Sequence, residues 1–209
     1  MSLNLARDLG IGGVGSTTHQ SNLVDEVQVE IQNWDSVSHQ VCALRKVQWA
    51  LHSPWLLELY PDGEDPFDQY SDHALLIEDG QLMSSVRLTP STSELQACHG
   101  QFKKFLTENQ NYAEIGRLIT TGNRVERVRQ SYTLLLEAGK IYYERGQHKG
   151  LVGICRSEKL RFFKRFGFVP AFAEATYLAS RKNVYWLIYS DWNSMIEKTR
   201  ANELLEVLK

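Results

Sequence analysis

Apolar and polar residues alternate at the start of the ordered pattern. Val27, Val29 and Ile31 stand against Gln28, Glu30 and Gln32, which predicts a strand with one buried face. The period then lengthens. Val37, Val41, Leu44, Val47 and Leu51 recur at helical spacing behind Asp35, an expected N-cap, and Pro54 ends the run. Tyr60 to Ser71 carries Pro61, Gly63 and Pro66 among acidic residues and reads as a loop or lid. Two β-rich runs, Ala74 to Ile77 and Leu82 to Leu88, meet at Asp79-Gly80, which is tight-hairpin chemistry. A helical stretch around Glu94 to Leu106 precedes a strand at Tyr112 to Thr120, closed by Gly122-Asn123. A long helix from Val125 to Arg145 follows, with Val128, Leu135 and Tyr142 on its expected buried stripe and Gly146 as its stop.

The remaining pattern completes a mixed order. Leu151 to Cys155 reads as a short buried strand, Ser157 as the cap of a helix from Glu158 to Phe166, and Gly167 as its end. Tyr177 and Val184 to Tyr189 supply two more strands, and Asp191 is expected to cap a final helix to Leu208. Tightly joined strands must be antiparallel and strand, helix, strand units favour parallel neighbours. The expectation is an α/β (α+β) fold with a mixed, mostly antiparallel central sheet flanked by helices. Residues 1–22, rich in Gly, Ser, Thr and Asn, read as a flexible leader, and residues 23–209 as a single domain.

Composition narrows the functional classes. The 209 residues are 43% hydrophobic and 23% charged, enough for one full core. A net charge of −2 argues against a nucleic-acid footprint spread over the surface. Cys42, Cys98 and Cys155 are widely spaced, so neither a disulfide framework nor a zinc ribbon is expected. No apolar run reaches the roughly 18 residues that a transmembrane helix needs, and the expected address is cytoplasmic. Gly10, Gly12 and Gly15 spell G-x-G-x-x-G without the strand before or the helix after that a dinucleotide site requires. His73 and His99 lack clustered ligands, so no metal is expected. Cys98 and His99 are adjacent and would point about 100° apart on a helix, which suits a nucleophile and base poorly.

One constellation carries chemistry. Arg45 lies in the first helix, Trp55 and then Glu64-Asp65-Pro66-Phe67-Asp68 follow, Arg87-Leu88-Thr89-Pro90-Ser91 closes the hairpin, and Glu114-Ile115-Gly116-Arg117 sits in the next strand. An arginine in the first helix, a tryptophan, aspartates three apart, R-x-x-P-[TS] and E-x-x-R resemble the acyl-homoserine-lactone synthases and their relatives, the long-chain N-acyl amino acid synthases. Both are branches of the GCN5-related N-acyltransferase fold. The resemblance runs from about Val27 to Ser190. Glu158 to Phe168, with an Ala-Thr-Tyr segment after it, is similar to the N-acyl amino acid synthases in particular. The resemblance implies transfer of a fatty acyl group to the amine of an amino acid, with lactone synthesis from S-adenosylmethionine as the alternative. A carrier-binding module without catalysis is a third reading.

The start of the long helix reads Arg-Val-Glu-Arg-Val-Arg from Arg124 to Arg129, without the glycines that let backbone amides close on a pyrophosphate. The resemblance implies a coenzyme A or an acyl carrier protein thioester as donor; the missing glycines weigh against coenzyme A, so acyl carrier protein, as its phosphopantetheine thioester, is the expected donor partner, and no bound cofactor is expected. Arg124, Arg127, Arg129, Lys159, Lys164 and Arg165 are candidates for docking its acidic surface. A solvated basic face is the plainer reading of the same residues.

Amide formation needs a neutral amine, and α-amino groups have a reference pKa of about 7.7 to 8.0. Glu114 is the candidate general base, Gly116 the residue that permits a bulge and frees N–H groups for an oxyanion, and Arg117 the partner that such a bulge turns to the same face. Arg45 and Arg87 either anchor an acceptor carboxylate or clamp Asp65 and Asp68. The resemblance assigns Asp65 and Asp68 to loop architecture and acceptor positioning, and Trp55 and Leu118 to the substrate site. Trp49, Phe67 and Tyr70 could line an apolar acceptor pocket.

Overall fold

The structure is a computed structural model and describes residues 27–207. The expected leader, its glycines 10, 12 and 15, and Leu208 lie outside the described residues. The first strand, β1 (Val27–Asn33), runs into α1 (Trp34–His52) and α2 (Pro54–Leu59). A loop with one 3-10 turn at Asp68–Tyr70 leads to β2 (Asp72–Glu78) and β3 (Gln81–Thr89). Then come α3 (Ser93–Cys98), α4 (Gly100–Glu108), β4 (Tyr112–Thr120), α5 (Arg124–Arg145), β5 (Gly150–Cys155) and α6 (Ser157–Lys164). Two short strands, β6 (Val169–Pro170) and β7 (Thr176–Leu178), precede β8 (Asn183–Asp191) and α7 (Trp192–Val207).

The strands order as β1-β2-β3-β4-β5-β8-β6, with β7 also on β8. Among these pairs β4 and β5 are parallel and the others antiparallel, the mostly antiparallel mixed sheet that the sequence predicts. Asp79 and Gly80 take φ of 51° and 74°, the mirror-image turn that matches strand twist.

Side-chain parity distributes the core. Ala74, Leu76, Val86, Leu88, Ala113 and Ile115 face α5, where they meet Leu134, Leu135, Ala138 and Tyr142. The opposite face is covered in pieces: α1 lays Trp34, Val37 and Val41 on Leu75, α2 brings Leu56 to Trp49 and Ile119, and α3 with α4 brings Leu95, Phe102 and Leu106 to Tyr112. The same parity puts His73, Arg87 and Glu114 on that second face. They are polar residues among helices, and they need partners.

Several local expectations are corrected. Asn33, not Asp35, caps α1, because its side chain accepts from the Ser36 amide. The buried stripe of α1 is Trp34, Val37, Val41, Arg45 and Trp49, whereas Val47 and Leu51 face outward. His99 divides the stretch read as one helix; its extended backbone ends α3 and its ring accepts from the Gln101 amide to begin α4. Val128 is exposed, Ser157 is the first residue of α6 rather than its cap, and Asp191 still belongs to β8.

Candidate active site

Two irregularities in β4 make the site. Its pairing with β5 runs from Tyr112↔Gly150 to Ile115↔Gly153 and goes no further, although β4 continues beside β3 and β5 beside β8. The sheet parts there, and a cleft of about 670 Å³ opens between Gly116–Thr120 and Gly153–Cys155. The second irregularity is a bulge. Pairing steps from Ser85↔Ile119 to Arg87↔Gly116, so β4 holds one extra residue. The left-handed residue is Arg117, with φ of 53°, not Gly116. A non-glycine residue there costs about 1–2 kcal/mol. Ion pairs of Arg117 with Asp65 and Glu94 hold it in place.

The expected consequence of a bulge does appear in the side-chain directions. Glu114 and Gly116 share a face by parity, and the extra residue turns Arg117 to that face as well. A buried ionic cluster forms around them. Arg45 donates to Asp68 (2.9 Å from Nη2 to Oδ1) and to the Gly63 carbonyl (3.0 Å) while its guanidinium lies between the rings of Trp34 and Trp49. Arg87 Nη1 lies 2.7 Å from Asp65, its Nη2 pairs with Glu94, and Glu114 Oε1 is 3.6 Å from Nη2. Arg117 Nε donates to Asp65 at 2.8 Å and its Nη2 to Glu94 at 3.0 Å. Arg181 Nη2 reaches the same Glu94 oxygen at 2.8 Å.

The acidic loop is anchored, not draped over the surface. Asp65 and Asp68 are fully buried. Asp68 accepts from the Asp65 amide at 2.7 Å, and Asp65 accepts from the Phe67 amide at 2.9 Å, so the two acids also build the turn. Gly63, with φ of 80°, lets the loop lie on α1, where a Cβ would meet the Cys42 carbonyl at 2.9 Å.

Burial pushes the Glu114 carboxyl up to about 8, reinforced by the Glu94 charge and opposed by Arg87. Burial alone would raise Glu94 too, but the Arg117 and Arg87 guanidiniums hold it below the usual carboxylate range. Burial likewise works against Asp65, and Arg117 and Arg87 keep its carboxyl low. Burial drives His73 down to about 4; its Nε2 stands 3.7 Å from Asp68 and its ring packs on Trp34. Among the described residues neither ring nitrogen of His73 has a hydrogen-bond partner, and no cluster of three or more His, Cys, Asp or Glu is placed to hold a metal.

The structure separates the expected site residues into three groups. Gly116, Arg117, Leu118 and Trp55 line the cleft. Arg45, Asp65, Asp68 and Arg87 do not: they are buried, and Arg45 and Arg87 clamp the aspartates instead of offering themselves to an acceptor. Glu114 is also covered, but Gly116 has no side chain above it; a Cβ there would stand 3.9 Å from Glu114 Oε1 and 3.7 Å from Arg87 Nη2. Arg124, Arg127 and Lys159 line one end of the cleft. Arg129 instead pairs with Glu78, and Lys164 and Arg165 are exposed away from the lining. Phe67 packs beneath the Arg87 guanidinium and Tyr70 is exposed, so neither lines the cleft, whereas Trp49 does. Cys98 and His99 make no pair, since the His99 ring is taken up by Gln101.

Glu94 and Arg181 belong to the cluster and were not legible as site residues. Glu94 lies seven positions beyond Arg87, inside a stretch that reads only as helix. Arg181 meets Glu94 across 87 positions, and no local pattern signals it.

The mainly antiparallel sheet flanked by helices is the GCN5-related N-acyltransferase fold. No family profile and no curated protein matches the sequence. Solved structures do. The CoA-dependent acyl-homoserine lactone synthase BjaI superposes with a TM-score of 0.63 and 16% identity over 84% of this chain and 89% of its own. The N-acyl amino acid synthase FeeM, from uncultured soil microbes, gives 0.57 and 10% identity over 83% of this chain and 96% of its own. An acyl-CoA N-acyltransferase from Pseudomonas aeruginosa gives 0.54 and 13% identity over 79% and 99%. At these identities the likeness is one of fold.

Proposed function

We propose that the protein is an N-acyltransferase that moves a fatty acyl group from the thioester of acyl carrier protein to the amine of an amino acid. The observation that carries this reading is the acid beneath a bare glycine at a parted sheet: Glu114 is covered, but its carboxylate lies under Gly116, which lines the cleft between β4 and β5. In the proposed reaction the amine nitrogen attacks the thioester carbonyl, the C–N bond forms, the C–S bond breaks and the thiol leaves with a proton. Glu114, in the fraction that is ionised near neutrality, takes the amine's proton through a water over Gly116. Its raised pKa matches that of an α-amine, which suits a base that must both accept and return a proton near neutrality. Beyond Ile115 and Gly153 the two strands no longer bond to each other, so β4 amides on that side are free for the oxyanion.

Carrier protein is the favoured donor because the N-terminus of α5 is already closed. The Asn123 side chain accepts from the Val125 and Glu126 amides, and the Glu126 carboxylate accepts from the Asn123 amide at 2.6 Å. A pyrophosphate there would meet a carboxylate instead of open amides. Arg124, Arg127, Arg156 and Lys159 at the same end of the cleft suit the phosphate of a phosphopantetheine arm and the acidic protein that carries it. No described helix is long and apolar enough to cross a membrane, and we assign the reaction to the cytoplasm with its carrier. Lactone synthesis from S-adenosylmethionine is the second reading, because the acyl-homoserine lactone synthases BjaI and LasI share the fold as FeeM does.

Mass spectrometry of products made by purified protein tests the proposal. Acyl carrier protein thioester with amino acids is expected to give N-acyl amino acids and free thiol. Lactone formed only when S-adenosylmethionine is present would favour the second reading. Charge reversal at Arg127 and Lys159 is expected to lower turnover of the carrier-bound thioester at least tenfold, while a small pantetheine thioester is used as before.

A further inference from the structure

The four guanidiniums of the cluster are not equivalent. Arg45 and Arg87 are each 1% exposed and form ion pairs with Asp68, Asp65 and Glu94; their nitrogens without a hydrogen-bond partner among the described residues, Arg45 Nε and Arg87 Nε and Nη1, are buried, and neither residue lines the cleft. Arg117 gives Nε and Nη2 to Asp65 and shares Nη2 with Glu94. Arg181 gives only Nη2, to Glu94 Oε1, and its Nε and Nη1 make no hydrogen bond among the described residues. It closes the 3-10 turn Ala179–Arg181 just before β8, its guanidinium rests 5.7 Å from the Tyr185 ring, and both Arg181 and Tyr185 line the cleft.

Charge points the same way. Four guanidiniums meet three carboxylates, Asp65, Asp68 and Glu94, while Glu114 is held neutral near pH 7 and His73 is neutral as well. While Glu114 is neutral the four guanidiniums outnumber the carboxylates by one, and Arg181 and Arg117 are the two that line the cleft. Arg181 and Arg117 bind one and the same oxygen of Glu94, and Arg117 directly follows Gly116, so Arg181 stands beside the place where an amine must sit.

Resting on the acyl-transfer reading, we infer that Arg181, through Nε and Nη1, holds the carboxylate of the acceptor and makes the cleft select α-amino acids over amines of the same shape without a carboxylate. A guanidinium edge matches a carboxylate in two parallel hydrogen bonds, and a substrate lacking that group leaves the edge unpaired. The site thus takes an anion at Arg181 and a nitrogen over Gly116. Arg45 and Arg87, the first candidates for this task, act one layer below as supports of the loop.

Binding and turnover measured on the full chain test the inference. Calorimetry with L-phenylalanine and L-leucine, each against its amide, is expected to show the acids binding at least about tenfold tighter, the value of a charge-assisted pair. Arg181→Met is expected to cut the preference to less than about threefold, and Arg181→Lys to leave it intermediate. Circular dichroism checks that both variants fold, and Arg181→Lys serves if Arg181→Met does not. The inference is overturned by equal binding of acid and amide in the wild type, by no binding of either acid, or by an unchanged preference in the variants. Thiol release from carrier-protein thioester separates the two levels: turnover without preference removes the anchor and keeps acyl transfer, whereas preference without turnover keeps the anchor and removes acyl transfer.

Discussion

Glu114 is a carboxyl kept protonated by burial and by the charge of Glu94, and that state has a thermodynamic signature. Its pKa in the folded chain is raised from 4.5 to about 8, so the fold binds a proton that the unfolded chain has released between those values. The resulting stability is complete below about pH 4.5 and is lost as pH rises to 8. His73 works in the other direction: lowered from 6.5 to about 4, it contributes stability above pH 6.5 that is lost as pH falls toward 4. Chemical denaturation between pH 6.5 and 8 is expected to show the wild type losing on the order of 2 kcal/mol, since one pKa unit is about 1.4 kcal/mol. Glu114→Gln is expected to flatten that decline, and a wild-type stability constant over the same interval would contradict the assignment. At this scale the sequence was partly informative. Glu114, Gly116 and Arg117 stand within four positions and read as one motif. Glu94 and Arg181 enter through tertiary contacts alone, which spacing cannot reveal.

Among the elements, β4 does most to shape the site. Gly116 has an ordinary strand backbone, because the bulge is taken at Arg117, so glycine is explained by the opening it leaves above Glu114 and not by conformational need. Gly116→Ala is therefore expected to fold with stability within about 1 kcal/mol of wild type, since its new methyl meets nothing closer than 3.7 Å, yet to lower turnover at least tenfold. Full activity in that variant would show that the path to Glu114 runs elsewhere. Hairpin, α5 and β5 were legible because each has a local signal: Asp79-Gly80, a long amphipathic period ended by Gly146, and an apolar run. Helix α1 was placed correctly but its buried face was misjudged, because a buried arginine counts as polar in any hydropathy pattern. The register step in β4 was expected, although the residue that absorbs it was assigned one position too early.

At the scale of the whole molecule, a net charge of −2 conceals a division of labour. Basic side chains gather where the cleft opens beside α5 and α6, and on the other side of the sheet a buried network of four arginines and four acids fixes the loop, β3 and β4 around the same opening. A carrier-bound acyl group arriving from the basic end and an amino acid arriving over Gly116 would meet where β4 leaves β5. The order of elements could be read from periodicity and turns; the parting of the sheet was expected only from the family resemblance, since it is fixed by how strands register across the chain and no local pattern signals it. Single-turnover thiol release from acyl carrier protein thioester, with a saturating amino acid and folded wild type set beside folded Glu114→Gln, tests the account most directly. The expected result is N-acyl amino acid from the wild type and a rate at least about 100-fold lower in the variant. Equal rates, or no acylated product from the wild type with any amino acid, would contradict it.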